Sequence, residues 1–596
     1  MQQASLLSAR SALGPPAHTT RPVPAGDLWW LTAVAAVFTA CLLASALVTP
    51  GLGWDETVYV SQVDPHAPAS FFSAPRARGV TLLLAPVAVL TTSATVLHCY
   101  LAVLSGLALF LTLCIWRRLL PAPVPALGGA LFAGLWVTFF YGPQAMPNLW
   151  VGYAALAATG CFLRAVRKPS RQLAPHADRG AAAGLAAAVA VAALMRPTDA
   201  VWLAVPLFAA ALCVPAWRRP AVLLALPAGL ALGCAEWAVE AYLSYGGLLA
   251  RLRRAGQIQG GLGWHLSFDD HARALQGKTL CRPCHLTWEH PVTAVWWLVL
   301  PLAVAGAVWA VLRVREPRGA LHGYGPAARS GAWHPLGLAP IRPGSLVPDP
   351  AGDPGADGRP YGSAPAWPVV RLRDPRGPLH RYGPSPVVLP ALVGLCLAAP
   401  YLLTVDYAAP RFLLPAYALL MMPAAWFLYW LTRLPRHGGH TWAVALLVLA
   451  LTGHEAIQLA IAHKMVRSTA RSQAGIDRIA TSLRTAGVRP PCVVSGEEAV
   501  RVAYRAGCAS RQPAGHDATI TPAGLARLGA GRPVAVIVAG GHKPPAYARG
   551  WRRVALPAMP GFTSLSAYVS RPVHPARSAR PVHPTRSARP ARPARH

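Results

Sequence analysis

Long apolar stretches separated by short polar ones recur along most of the chain. Each stretch is about 20 residues long, the length that an α-helix needs to cross the hydrocarbon core of a bilayer. The first stretch lacks a small-residue cleavage site, so we interpret it as a retained span and not as a signal peptide. The pattern predicts a mainly α-helical, polytopic membrane protein of about eleven transmembrane helices, near residues 28–50, 95–116, 122–141, 148–164, 181–196, 199–216, 220–245, 291–312, 386–404, 411–432 and 441–462.

The chain changes character after the last apolar stretch. Helix-like and strand-like segments alternate between residues 465 and 570, which predicts a small α/β domain after a membrane domain of residues 28–464. The predicted helices are Ile476–Ala486, Ala499–Ala506 and Pro522–Leu528, and the predicted strands are Cys492–Ser495 and Pro533–Ala539.

Two segments are too rich in Pro, Gly and Arg to bury a core. Residues 313–385 contain an imperfect duplication, in which Arg315–Pro326 resembles Arg373–Pro384. Their composition predicts a disordered insert. The last residues, 571–596, repeat Arg-Pro-Val-His-Pro and predict a basic tail. The tail is either simply solvated or in contact with anionic lipid or cell-wall polymer.

Composition and charge support the membrane interpretation. Hydrophobic residues make up 54% of the chain and charged residues 13%, with a net charge of +33. The basic residues lie mainly in loops between apolar segments and in the tail, so membrane topology explains them better than nucleic acid binding. Their bias predicts a cytoplasmic N-terminal tail (1–27), a cytoplasmic insert and an extracytoplasmic α/β domain.

Asp55 and Glu56 follow the first apolar segment directly, in a chain with only 22 acidic residues. A carboxylate held near the membrane surface can act as a general base. The two side chains point in different directions, and Asp55 is our first candidate, with Glu56 orienting it or a substrate hydroxyl. Alternatively, the pair caps a helix over Thr57–Gln62 and has no chemical role.

Other charged residues fall at the same predicted face. Glu236 and Glu240 share one face of a predicted span, where acids either line a polar cavity or pair with arginines. Arg196 and Arg411 each lie at the outer end of a span. They either bind a lipid-linked phosphate or anchor the helix at the interface.

Two pairs of cysteines are candidates for disulfides in an extracytoplasmic setting: Cys492 with Cys508, and Cys281 with Cys284. The second pair lies in Cys281-Arg-Pro-Cys-His285, which also fits covalent haem attachment, or zinc binding with His285 or His290. We favour the disulfide and predict no metal site. The remaining cysteines, mostly inside spans, are interpreted as small packing residues.

Four motifs together resemble the GT-C superfamily of integral membrane glycosyltransferases, which includes the protein O-mannosyltransferases and the lipid A aminoarabinose transferases. The motifs are Gly53-Trp-Asp-Glu56, Pro75-Arg-Ala-Arg-Gly79, Arg196-Pro-Thr-Asp199 and Tyr407-Ala-Ala-Pro-Arg-Phe-Leu-Leu-Pro415. The resemblance covers the spans in layout, whereas the insert and the α/β domain depart from the best-known members.

The resemblance implies transfer of a sugar from a polyprenyl-phosphate donor to an extracytoplasmic glycan, lipid or protein acceptor (EC class 2.4). Asp55 would be the base, Glu56 its neighbour and Arg411 the first candidate for binding phosphate. Weaker candidates for substrate binding are Arg76, Arg78, Arg196, Asp199, Glu236 and Glu240. No cofactor is required, and a divalent metal is compatible with the chemistry but not predicted.

A transporter or lipid flippase is the alternative function, with Glu236 and Glu240 as coupling acids. A transporter typically shows repeated halves and interrupted spans at matching positions, and this chain has no evident repeat of that kind. A non-catalytic membrane scaffold is the third option. We favour the enzyme.

Overall fold

The structure of the chain is a computed structural model that describes residues 28–49, 51–167, 176–261, 263–282, 284–313, 383–433 and 441–571. The predicted N-terminal tail, residues 314–382 of the predicted insert and residues 572–596 of the predicted basic tail lie outside these ranges.

A bundle of apolar helices forms the larger part of the molecule. Several helices begin with proline at their first position, where the missing N–H has no partner in the helix anyway. In chain order the helices are α1 (Leu28–Val48), α2 (Trp54–Val60), α3 (Gly79–Ala88), α4 (Ala94–Trp116), α5 (Pro123–Gly134), α6 (Trp136–Tyr141), α7 (Pro147–Ala165), α8 (His176–Met195), α9 (Pro197–Cys213), α10 (Pro220–Ser244), α11 (Leu248–Ile258), α12 (Phe268–Ala274), α13 (Val295–Arg313), α14 (Ser385–Leu403), α15 (Leu414–Leu431) and α16 (Thr441–Thr485).

Seven helices among the described residues are long and apolar enough to cross a membrane, and they are accompanied by the shorter apolar helices α3, α5, α8 and α9. A polytopic, mainly α-helical membrane protein is therefore confirmed. The number of eleven spans stays a prediction, because length and composition alone do not settle how the shorter helices lie.

Two of the predicted spans differ from the helices that form. The span predicted at 122–141 breaks at Leu135, whose backbone is extended (φ −57°, ψ 129°). The N–H of Trp136, which the break releases from the helix, donates to Oε1 of Gln458 at 2.9 Å. The last span does not end near residue 462: it continues through the separately predicted helix at 476–486, and α16 is 45 residues long. In its second half the sequence is no longer mainly apolar and is rich in Arg, Ala, Ser and Thr, of which Arg and Ala favour a helix.

The C-terminal part of the chain forms a five-stranded sheet in the order β2-β1-β3-β5-β4. The strands are β1 (Val493–Gly496), β2 (Ala509–Ser510), β3 (Val534–Ala539), β4 (Arg552–Leu556) and β5 (Leu565–Val569). β1 is parallel to β2 and β3, and β5 is antiparallel to β3 and β4. The small α/β domain is thus confirmed, although the sequence did not indicate β2, β4 and β5.

Two helices cover opposite faces of this sheet, α17 (Ala499–Ala506) on one side and α18 (Pro522–Gly531) on the other. The C-terminal turns of α16 share the core of the α17 face, through Ile479 and Leu483. α16 is therefore a structural element of both the helical bundle and the α/β unit.

Candidate active site

Asp55 and Glu56 lie within the first turn of α2, because this helix begins at Trp54 and not at Thr57. Gly53 is the N-cap, and its N–H donates to Oε2 of Glu56 at 2.7 Å. This contact is the half of a capping box that the glutamate at the third helical position supplies, and it satisfies one backbone donor at the start of the helix.

Glu56 is also tied to two other elements. Its Oε1 accepts hydrogen bonds from Nε2 of His98 and from the N–H of Ala145, each at 2.9 Å. Burial by itself would raise the pKa of Glu56, but His98 and the backbone donors more than offset that and lower the pKa. The carboxylate, 2% exposed, therefore connects α2 with α4 and with the loop before α7.

Asp55 points away from Glu56 and meets two arginines. Its Oδ1 accepts from Nη2 of Arg76 at 2.7 Å, and its Oδ2 lies 3.3 Å from Nη2 of Arg411. Burial alone would raise the pKa of Asp55, yet Arg76 and Arg411 hold it below its usual value. Asp55 is consequently an ionised carboxylate shared unequally by two cations.

Both arginines are held by their surroundings. Arg76 lies over the rings of Trp54 and Tyr59, at 5.4 and 5.3 Å from the ring centroids. Arg411 lies in a single 3₁₀ turn, Pro410–Leu413, that leads into α15. Its Nη1 donates to the carbonyl of Thr279 at 3.1 Å. The geometry fixes the positions of the two cations before any ligand is present.

Asp55, Arg76 and Arg411 line a cavity of about 630 Å³ between the helical bundle and the α/β unit. Such a volume is within the range of small-molecule sites. The other residues that line it are Gly53, Trp54, Glu56, Ser73, Phe140, Tyr141, Gln144, Met146, Ile258, Thr279, Leu280, Arg282, Tyr407, Met465, Ser468, Thr469, Ser472, Arg501, His516 and Asp517.

Several of these residues were missed by sequence reasoning. Arg282 was hidden inside the Cys281-Arg-Pro-Cys-His285 motif, which drew attention to its cysteines. The polar residues of α16 carried a usable signal, since Met465, Ser468, Thr469 and Ser472 have the spacing i, i+3, i+4, i+7 of one helix face. His516 and Asp517 carried none, because only the folded α/β unit brings their loop to the cavity.

Arg196 and Asp199 do not line this cavity, although they lie nearby. They pair with each other, Nε to Oδ2 at 3.1 Å, and the hydroxyl of Tyr401 donates to Oδ1 of Asp199. The guanidinium of Arg196 also lies over the rings of Tyr401 and Phe412. The pair stabilises the start of α9 against α14 and the turn that holds Arg411.

Arg78, Glu236 and Glu240 form a separate ionic cluster with Arg251. Glu240 accepts from Nη2 of Arg78 at 2.6 Å and from Nη2 of Arg251 at 2.7 Å. Arg251 is fully buried and also donates to the carbonyls of Ala74 and Arg76. The acids of α10 are therefore paired with arginines, and the cluster supports the chain segment that carries Arg76.

The structure contains both predicted disulfides, Cys281–Cys284 and Cys492–Cys508. Cys281 also pairs its backbone with Ala408, N–H to carbonyl at 2.8 Å, next to Tyr407. The first disulfide thereby fixes the loop that carries Arg282 beside the turn that carries Arg411. The second joins the residue before β1 to the residue before β2.

No family model and no curated protein sequence matches the chain. Solved structures do. The crystal structure of ArnT from Cupriavidus metallidurans bound to undecaprenyl phosphate superposes with a TM-score of 0.59 and 11% identity, covering 92% of this chain and 98% of ArnT. The apo state of the same protein gives a TM-score of 0.54 and 12% identity, covering 91% of this chain and 98% of ArnT.

The chain has the ArnT fold. The similarity to ArnT extends over nearly the whole of both chains, so it includes the C-terminal unit as well as the bundle. The archaeal oligosaccharyltransferase AglB from Archaeoglobus fulgidus matches more distantly, with a TM-score of 0.40 and 10% identity, covering 81% of this chain and 64% of AglB. Because ArnT is a member of the GT-C superfamily, the predicted resemblance is confirmed for the fold.

Proposed function

We propose that the chain is a glycosyltransferase that moves a sugar from a polyprenyl-phosphate donor to an acceptor hydroxyl, with Asp55 as the general base. The observation that carries the proposal is Asp55 held between Arg76 and Arg411 on the wall of a cavity in an ArnT fold. A base and a set of phosphate-binding cations are the two components that the reaction needs. The cavity would open on the extracytoplasmic face.

The cations support a phosphate site. Arg282 lines the cavity and makes no ion pair with a carboxylate among the described residues; it donates to the carbonyl of Ile258 at 3.0 Å and stacks on Tyr407. Among the described residues, the one carboxylate that Arg411 contacts is Asp55, at the longer distance of 3.3 Å. A guanidinium pairs well with phosphate oxygens, so Arg282 and Arg411 would bind the donor phosphate.

Donor binding would also raise the pKa of Asp55, the proposed base. When Arg411 turns to the phosphate, Asp55 loses one of the two cations that hold its pKa down. Its pKa then rises towards the range in which a carboxylate accepts a proton more readily. Asp55 would thus become the stronger base after the donor has bound.

The proposed reaction is a single inverting displacement. The acceptor oxygen attacks the anomeric carbon and transfers its proton to Asp55. The bond from that carbon to the phosphate oxygen breaks, and polyprenyl phosphate leaves with the electron pair. Arg282 and Arg411 stabilise the negative charge that develops on the leaving group, so the mechanism as proposed uses no metal.

The test uses the full chain in membranes with a panel of radiolabelled undecaprenyl-phosphate sugars and total membranes as the acceptor source. Loss of a general base lowers the rate by about 10²- to 10⁴-fold, and we expect Asp55→Asn to show a loss of this size while still binding undecaprenyl phosphate. Arg411→Ala should lose both transfer and binding. Asp269→Asn, an exposed carboxylate paired with Arg273, is the matched control. Undiminished transfer by Asp55→Asn would contradict the base assignment.

A further inference from the structure

A second set of polar residues lines the cavity and is contributed by α16 and the α/β unit. We name it the polar wall: Ser468, Thr469, Ser472, Arg501, His516 and Asp517. Neither Arg76 nor Arg411, the arginines that bind Asp55, belongs to it. The proposed base and phosphate site come from α2, from the turn before α15 and from the loop that carries Arg282, and they leave the polar wall without an assigned role.

The polar wall is preorganised. Arg501 is buried, and its Nη1 donates to Oγ of Ser472 at 3.2 Å and lies 3.3 Å from Oε2 of Glu498. Residues 512–519 close into a compact loop, since the N–H of Thr519 donates to the carbonyl of Gln512 at 2.8 Å. Nη2 of Arg254 donates to the carbonyl of His516 at 3.2 Å and ties the loop to α11. The wall therefore keeps its shape without a ligand.

Asp517 is the carboxylate of the polar wall. Among the described residues it makes no hydrogen bond and no ion pair, although it is only partly exposed. Burial raises its pKa, and the nearby Arg76 and His516 only partly offset that. A carboxylate in this situation is free to accept hydrogen bonds from a ligand.

The charges of the cavity limit what that ligand can be. Two of the lining charges already have a partner that does not line the cavity: Glu56 pairs with His98, and Arg501 pairs with Glu498. The other charged lining residues are three arginines and two carboxylates, an excess of one positive charge: Arg76, Arg282, Arg411, Asp55 and Asp517.

A polyprenyl-phosphate sugar is a phosphodiester with a single negative charge, so its binding would balance that excess. An acceptor with a further negative charge would then meet Asp517, and none of the described lining residues would be left as an arginine without a negatively charged partner. Leaving a charge unpaired in a partly desolvated site is strongly unfavourable. The balance therefore favours an uncharged acceptor.

The chemistry of the wall favours a saccharide over a peptide. Serine and threonine hydroxyls both donate and accept, as sugar hydroxyls do, and Asp517 and Arg501 add an acceptor and a donor. An extended peptide commonly pairs its main chain with a free strand edge. No residue of β1–β5 is among the described residues that line the cavity.

We propose that the polar wall is the acceptor site and that it binds an uncharged glycan, with Asp517 accepting hydrogen bonds from its hydroxyls. This inference rests on the proposed function, because it assumes that the donor phosphate neutralises the arginines. Asp517 acts in acceptor binding and specificity, whereas Asp55 takes the proton.

The experiment measures binding of the solubilised full chain, loaded with undecaprenyl methyl phosphate, to an array of neutral glycans, the same glycans phosphorylated, and peptides rich in Ser and Thr. Undecaprenyl methyl phosphate is an unreactive phosphodiester with the single negative charge of the donor. We expect the wild type to retain neutral glycans, and Asp517→Asn and the double variant Ser468→Ala/Ser472→Ala to bind them about tenfold more weakly. Asp477→Asn, which removes an exposed carboxylate paired with Arg505, should bind as the wild type does.

A charge reversal adds an outcome that a merely structural role would not produce. Asp517→Lys supplies a free cation, so it should shift the preference from neutral to phosphorylated glycans. Undecaprenyl phosphate binding is measured on the same samples and should be unchanged in both Asp517→Asn and the serine double variant. If the wild type does not bind undecaprenyl phosphate, the proposed function is wrong, whatever the array shows.

Several results on the array would overturn the acceptor inference without contradicting the proposed function. The wild type could bind only phosphorylated glycans, only peptides, or none of the ligands on the array. Neutral binding that is unaffected by Asp517→Asn, or an Asp517→Lys variant without a shift in preference, would overturn it as well.

Discussion

Replacing Glu56 by Gln tests the division of labour between the two adjacent acids. The carboxylate of Glu56 accepts from Gly53 N–H through one oxygen and from Ala145 N–H and His98 through the other. A glutamine amide offers one oxygen and one NH₂ group. Whichever way the amide is turned, its NH₂ group faces a backbone N–H that previously donated to an oxygen.

One backbone N–H, either the buried one of Ala145 or the partly buried one of Gly53, is thus left without an acceptor, at a cost of about 1–3 kcal/mol, and the contact with His98 loses its charge. We expect Glu56→Gln to destabilise the chain by about 2–4 kcal/mol in total. Asp55→Asn removes an ion pair from a more exposed site and should change stability much less, although we expect it to lower transfer strongly.

The assay is the midpoint of thermal unfolding of the purified chain in detergent, measured together with sugar transfer on the same preparations. Glu56→Gln should lower the midpoint and lower transfer in parallel, because the loosened α2 carries Asp55. A Glu56→Gln variant with unchanged midpoint and abolished transfer would refute the reasoning, since Glu56 would then act in the chemistry itself.

Three further predictions concern the surroundings of the site. Burial lowers the pKa of His271 to about 4, so the imidazole binds a proton less readily in the folded chain than in the unfolded chain. The free energy of unfolding should therefore fall by about 3 kcal/mol as the pH is lowered from 6.5 to 4. His271→Leu should remove this pH dependence, measured as the midpoint of thermal unfolding at each pH. Arg251→Met leaves Glu240 with Arg78 alone and should cost about 3–5 kcal/mol, with partial rescue by Glu240→Gln in the double variant. Gln473 accepts from Gly51 N–H at 2.9 Å and donates to the Gly51 carbonyl, so Gln473→Ala should loosen the loop before α2 and lower transfer while undecaprenyl phosphate binding persists.

The membrane bundle was predictable because the apolar length of each segment reports directly on its environment. The first members of the site were also predictable, since Asp55, Arg76 and Arg411 stand in motifs that a known superfamily shares. The structure brings these three side chains together, 2.7 and 3.3 Å apart at their contacts.

The rest depended on tertiary contacts. Arg76 and Arg78 are only two residues apart, and nothing in the local sequence distinguishes them. In the structure Arg76 binds Asp55, whereas Arg78 binds Glu240. Likewise, the side chain that pairs with Glu56 is His98, which lies 42 residues further along the chain in α4. Which of several charged residues face a cavity is decided by helix packing, and a single sequence does not report it.

The length of α16 has a mechanical consequence. At 1.5 Å per residue its 45 residues extend over about 68 Å, roughly twice the thickness of the hydrocarbon core. The residues that line the cavity, Met465 to Ser472, occupy its middle section, between the part packed on α6 and the part packed on the sheet. Because one continuous helix contacts the bundle, lines the cavity and shares the core of the α/β unit, the α/β unit cannot move along the axis of α16 without moving Ser472 relative to the bundle. The position of the α/β unit and the width of the cavity are therefore coupled through α16.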